Sequence, residues 1–171
     1  MLRRYFCPDY VLNTFEEATA DFLLKNGIKA LILDIDNTLA PYEEAEPSER
    51  VLAWFESLRE AGIRTVFVSN NHRERVAKFN EKIGIVFYAK GKKPGRTYTS
   101  RALTDMNAEA DEAAIMGDQI FTDVWAGRKL GVRTILVPPI RDRRDPFTKG
   151  KRLLEKPILR YYRKHHTEKT V

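Results

Sequence analysis

"LILDIDNTLA", residues 31–40, starts as a buried strand and ends in polar groups. Leu31, Ile32 and Leu33 give the apolar run that a fully buried strand needs. Asp34 and Asp36 then break it, with Asn37 and Thr38 behind them. Residues i and i+2 of an extended segment point to one side, so Asp34 and Asp36 face a common space. A polar turn closing a strand accounts for either aspartate alone. A nucleophile beside a metal site accounts for both, provided other strand ends bring matching groups.

Outward from this stretch, short apolar β-branched runs recur at 30–35, 64–69, 84–89, 113–117 and 132–137. Helical patterns lie between them. "SERVLAWFESLREAG" sets Val51, Leu52, Phe55 and Leu58 on one face, and "HRERVAKFNEKIG" pairs Val76 with Phe79. Gly62, Gly84 and Gly131 stand where helices stop. Strict alternation predicts an α/β fold with helices on the faces of a five-stranded, mainly parallel sheet. An N-terminal helix over 14–25 is expected, with Thr14 and Glu17 spaced as a capping box. Pro157 is expected to interrupt the C-terminal helix. The 29 residues from Ala40 to Val68 and the 23 from Asn70 to Lys92 hold one helix and one strand each, which leaves no room for a cap domain.

Open parallel sheets bind ligands beyond the carboxyl ends of their strands. Those positions carry Asp34, Asp36 and Thr38, then Ser69 and Asn70, then "KGKKPG" with Lys93, then "GDQIFTD" with Asp118 and Asp123. So many carboxylates at one rim are costly without a cation. Oxygen ligands without a His or Cys cluster favour Mg²⁺. A calcium EF-hand starting at Asp34 is excluded, because Leu39 and Ala45 stand where its Gly and Glu belong. A carboxylate needs no base to act as a nucleophile, so Asp34 suits attack on phosphorus. Asp36 suits proton transfer to the leaving alcohol and from water. Ser69 and Lys93 suit the phosphate oxygens. Asn70 and Asn71 read equally as caps of the following helix or as substrate contacts.

These motifs resemble those of the haloacid-dehalogenase-like (HAD) phosphohydrolases: "DIDNT", then Ser69 ending "VFVS", then Lys93 before Pro94, then "GDQIFTD". The resemblance implies a three-layer Rossmann-like fold, a phospho-aspartate at Asp34 and acid/base work by Asp36. It also implies Mg²⁺ held by the Asp34 side chain, the Asp36 carbonyl and Asp118 with support from Asp123, and a phosphate pocket shaped by Thr38, Asn70 and Lys93. "GIKALILDIDNTL", "VSNN", "KKPGR", "GDQIFTDVWAGRKLG" and "FTKGKR" are similar to the class IIIA, YqeG-type phosphatases. That branch is related to mitochondrial phosphatidylglycerophosphatases and implies a lipid phosphate as substrate. A soluble sugar, nucleotide or phosphoprotein substrate is the alternative, and an RNA- or ribosome-binding protein the rival from another class.

The chain has 171 residues and net charge +6. Residues 141–171 hold 11 Lys/Arg and 4 Asp/Glu, whereas residues 1–140 hold 19 and 20. The expected division is therefore a catalytic domain over 1–140 and a basic tail over 141–171. Such a tail suits an anionic membrane surface, and nucleic acid less well given the intact motifs. The single Cys7 excludes an internal disulfide framework. With no secretory signal or spanning segment in sight, a cytoplasmic location is expected, peripheral at the inner face of the membrane. An oligomer is compatible with all of this.

Overall fold

The structure, a computed structural model, describes residues 5–141 and 146–166. Parts of the basic tail, residues 142–145 and 167–171, therefore lie outside the described residues. One sheet of six parallel strands runs through the chain: β1 (Tyr10–Val11), β2 (Ala30–Leu33), β3 (Arg64–Val68), β4 (Phe87–Tyr88), β5 (Ala113–Gly117) and β6 (Arg133–Leu136). Their spatial order is β1-β6-β5-β2-β3-β4. The sixth strand, absent from the five expected, is β1 at the edge. Its apolar run, Tyr10 to Leu12, is too short to announce a strand. It is pinned by Asp9, whose amide donates to the Thr134 carbonyl (3.0 Å) while its Oδ2 accepts from the Thr134 amide (2.8 Å).

The β2 strand sits at the centre, Leu33 lying opposite Phe67 of β3 and Met116 of β5. From β2 the chain moves outward to β3 and β4, then crosses back to β5 on the other side. That reversal makes the β2–β5 boundary the topological switch point, where open α/β sheets hold ligands.

Although β2 is apolar throughout, its pleat divides it between two cores. Leu31 and Leu33 face Val51, Trp54, Phe55, Leu58 and Phe79. Ala30 and Ile32 face Ala102, Met106, Ala126 and Val132. The first group comes from helices α2 (Glu49–Glu60) and α3 (Arg73–Asn80), the second chiefly from α4 (Thr97–Asp105) and α5 (Trp125–Leu130). This is the three-layer arrangement that the motifs implied. Ser48 caps α2, its Oγ accepting from the Val51 amide at 3.4 Å. Gly62, Gly84 and Gly131 all take positive φ, as the stop signals predicted.

Two local expectations fail. Thr14 makes no side-chain cap. Residues Phe15–Glu17 form a separate 3₁₀ turn, and α1 (Ala20–Lys25) begins behind Thr19, whose Oγ1 accepts from the Phe22 amide. Glu17 instead binds Asn13, with bonds to its amide (2.8 Å) and side chain (2.9 Å), so a capping-box spacing is used for a turn. Pro157 does not interrupt α6 (Pro146–His166), which runs through it. The missing donor leaves the Leu153 carbonyl without its helical partner, and residue 153 is exposed, so water can serve that carbonyl.

Candidate active site

Asp34, Ser69 and Asp118 each follow directly on the last residue of a strand, β2, β3 and β5, and these three strands are neighbours. Adjacent parallel strands thus deliver the three side chains to one edge. The turn after Asp34 is tight: the Thr38 and Leu39 amides both donate to the Ile35 carbonyl, at 3.1 and 2.9 Å. Asn37 takes φ 63°, a conformation that Asn tolerates better than most residues. The turn brings Thr38 back over Asp34, its Oγ1 donating to Asp34 Oδ2 at 3.4 Å.

Lys93 enters from the loop beyond β4. Its Nζ donates to Asp34 Oδ1 at 2.8 Å and lies 2.7 Å from Asp123 Oδ1. The lysine therefore bridges two carboxylates, where the sequence pointed to one. Its side chain is 2% exposed. Asn70 holds it there: the Asn70 Oδ1 accepts from the Lys93 amide (2.7 Å), and its Nδ2 donates to the Lys93 carbonyl (3.1 Å). Both ends of this amide bond the Lys93 backbone, so Asn70 holds the lysine loop and is not a side-chain cap of α3. The loop also packs against Ser69, whose carbonyl accepts from the Gly91 amide at 2.8 Å. A Cβ at Gly91 would come 2.8 Å from Val68 Cγ1, which explains the glycine of "KGKK". Ser69 is buried, and its Oγ accepts from the Asn71 amide at 3.1 Å.

Asp34, Asp118 and Asp123 each offer a carboxylate oxygen, and these atoms lie within 4.8 Å of one another. Asp123 is fixed further by its own turn, its Oδ2 accepting from the Gln119 amide (3.2 Å) and the Thr122 hydroxyl (3.1 Å). Three buried carboxylates facing one ammonium leave two negative charges, the amount a divalent cation carries. The titration of Asp34 reflects this. Burial pushes it up, Lys93 pulls it down and Asp123 adds repulsion; the balance sits at about 7 against an ordinary 3.8. Burial pulls the Lys93 ammonium down, but Asp123 and Asp34 together outweigh it and hold its pKa above the usual range. All-oxygen donors at this spacing fit a hard divalent ion such as Mg²⁺.

Asp36 stands apart from that trio. Its Oδ2 accepts from Asn71 Nδ2 at 2.9 Å, and its Oδ1 pairs with the Arg75 guanidinium at 3.2 Å. Arg75 was not picked out from the sequence, and Asn71 was read as a helix cap or substrate contact and not as a partner of Asp36. The link to Asp36 is tertiary and leaves no local trace. Gly117 was missed as well. A Cβ there would overlap the Asp123 carboxylate, so only glycine lets that side chain lie against the end of β5.

Over residues 1–141 the chain matches the family described as mitochondrial PGP phosphatase. It is 35% identical over 159 residues to the probable phosphatase YqeG of Bacillus subtilis, spanning 93% of this chain and 92% of that protein. It is 30% identical over 169 residues to phosphatidylglycerophosphate phosphatase 1, chloroplastic/mitochondrial, of Arabidopsis thaliana, spanning 92% of this chain and 48% of that one. The cobalt-bound deoxy-D-mannose-octulosonate 8-phosphate phosphatase YrbI of Haemophilus influenzae shares the fold, with a TM-score of 0.55 at 18% identity over 86% of this chain and 96% of that one.

Proposed function

The chain belongs to the mitochondrial PGP phosphatase family within the HAD superfamily and is a phosphoric monoester hydrolase; from that premise we propose that it is a Mg²⁺-dependent phosphatidylglycerophosphate phosphatase working through a phospho-aspartate. The observation that carries the reading is the buried trio of Asp34, Asp118 and Asp123 with Lys93 bridging two of its members.

An Asp34 oxygen attacks phosphorus, and the ester P–O bond breaks as the leaving alcohol takes a proton from Asp36. Water then attacks the phosphorus, giving its proton to Asp36, and the bond to Asp34 breaks to release phosphate. Lys93 orients Asp34, and Thr38 steadies its second oxygen. Ser69 lines the phosphate position beside them. Arg75 and Asn71 fix Asp36 at the mouth of the site. Mg²⁺ held by Asp34 and Asp118, with Asp123 behind them, supplies charge neutralisation of the phosphoryl oxygens when bound. Asp36 would contribute through its backbone carbonyl, as the motif resemblance implies, leaving its carboxyl group for proton transfer.

The lipid substrate is supported by the family match and by the outer face of α6. Leu153 and Leu154 are exposed there beside exposed Lys156, Arg160, Arg163 and Lys164. No helix among the described residues is long and apolar enough to cross a membrane. We propose that this face meets an anionic bilayer at its cytoplasmic side. The test is phosphate release with Mg²⁺ from phosphatidylglycerophosphate in mixed micelles, set against soluble sugar and nucleotide phosphates. At least tenfold higher kcat/KM for the lipid is expected. Equal or higher values for a soluble ester would overturn the substrate, and unchanged turnover in EDTA would overturn the metal.

A further inference from the structure

The helix α6 carries seven Lys/Arg and one acidic residue, Glu155. On a solvated basic helix that glutamate would sit outside among the cations. Instead it is 5% exposed, and its Oε1 accepts a hydrogen bond from the Ile120 amide at 2.8 Å. Ile120 opens the short helical turn Ile120–Val124. The first amides of a helical turn have no partner within it, so a buried one needs an acceptor from elsewhere. Burying a carboxylate is itself unfavourable unless it is hydrogen-bonded. The Ile120–Glu155 bond serves both requirements.

Its location gives it a consequence. Ile120 lies two residues after Asp118 and three before Asp123. The same turn holds Asp123 through the Gln119 carbonyl, which accepts from the Asp123 amide at 2.9 Å. One turn beyond Glu155, Ile158 packs with Cys7, Ile120, Val124 and Leu136, so α6 is anchored against the back of this turn. We propose that Glu155 is a positioning residue: from the tail helix it sets the loop that carries Asp118 and Asp123, and thereby tightens divalent-ion binding at the rim. The inference rests on the metal reading given under Proposed function, not on the lipid substrate.

Full-length wild type, E155Q and E155D separate the effect of the bond from that of the charge. Gln keeps the length and the accepting oxygen. Asp keeps the charge but falls a methylene short of the Ile120 amide. Calorimetric Mg²⁺ titration should show E155Q within about threefold of wild type and E155D weakened by roughly tenfold or more, the range seen when a partner behind a metal ligand is lost. At saturating Mg²⁺ the kcat of E155D should recover. E155M, which has the length but no oxygen acceptor, should repeat the E155D result and serves if E155D folds poorly. Equal affinity in wild type, E155D and E155M would overturn the role of Glu155 and leave the metal site standing. No Mg²⁺ binding by wild type would overturn both.

Discussion

Burial, with repulsion from Asp123 and Asp36, pushes the Asp34 carboxyl up to about 7 against the pull of Lys93 at 2.8 Å. The sign of the stability effect follows. Because the folded pKa lies above the unfolded 3.8, the protonated group favours the fold below that value, and the advantage is lost as pH rises through about 7. Without metal at pH 8, D34N should therefore be more stable than wild type, by on the order of a few kcal/mol. Urea unfolding in EDTA measures this, and Mg²⁺ should raise the midpoint of wild type more than that of D34N. Turnover by D34N should vanish. Asp34, Lys93, Asp118 and Asp123 were legible as a cluster because each lies just beyond the carboxyl end of a strand. Arg75, Glu155 and the bond from Asn71 to Asp36 were not, because the partners involved are 35 or more residues apart in sequence.

Elements were legible where their signal was local. The central strands declared themselves by apolar runs, and α2 by the spacing of Val51, Phe55 and Leu58. Edge elements lacked such a signal: β1 is two residues held by Asp9, and β4 shrinks to Phe87–Tyr88 because it pairs on one side only. Thr14 and Thr19 both precede acidic first turns, and a spacing rule chose the wrong one. The end of β5 offers an element-scale test. G117A would press a methyl into the Asp123 carboxylate, and overpacking of this kind costs about 1–3 kcal/mol. The variant should lose that much in urea unfolding and bind Mg²⁺ more weakly. Wild-type Mg²⁺ affinity in G117A would show that the fit of Asp123 against β5 does not matter.

Across the whole molecule, charge is divided by place. The acidic oxygens converge inside the rim, while Lys156, Arg160, Arg163 and Lys164 of α6 are exposed. That division was readable as a net +7 over residues 141–171 in the sequence, but the docking of α6 through Glu155 and Ile158 was not. Replacing the exposed pair in L153Q/L154Q should weaken co-sedimentation with phosphatidylglycerol vesicles by roughly tenfold, since two leucines lose apolar contact with the bilayer. Hydrolysis of a soluble phosphate ester should be unchanged in the same variant; a parallel fall in both would point to a damaged fold. The central claim is that Asp34 takes the phosphoryl group. The measurement that meets it directly is acid-quenched turnover with Mg²⁺ and radiolabelled phosphate ester, followed by proteolysis and mapping of the label. The account predicts an acid-stable, base-labile phosphoryl group on the peptide containing Asp34, absent in EDTA and in D34N. Full turnover by D34N, or label on any other residue, would contradict it.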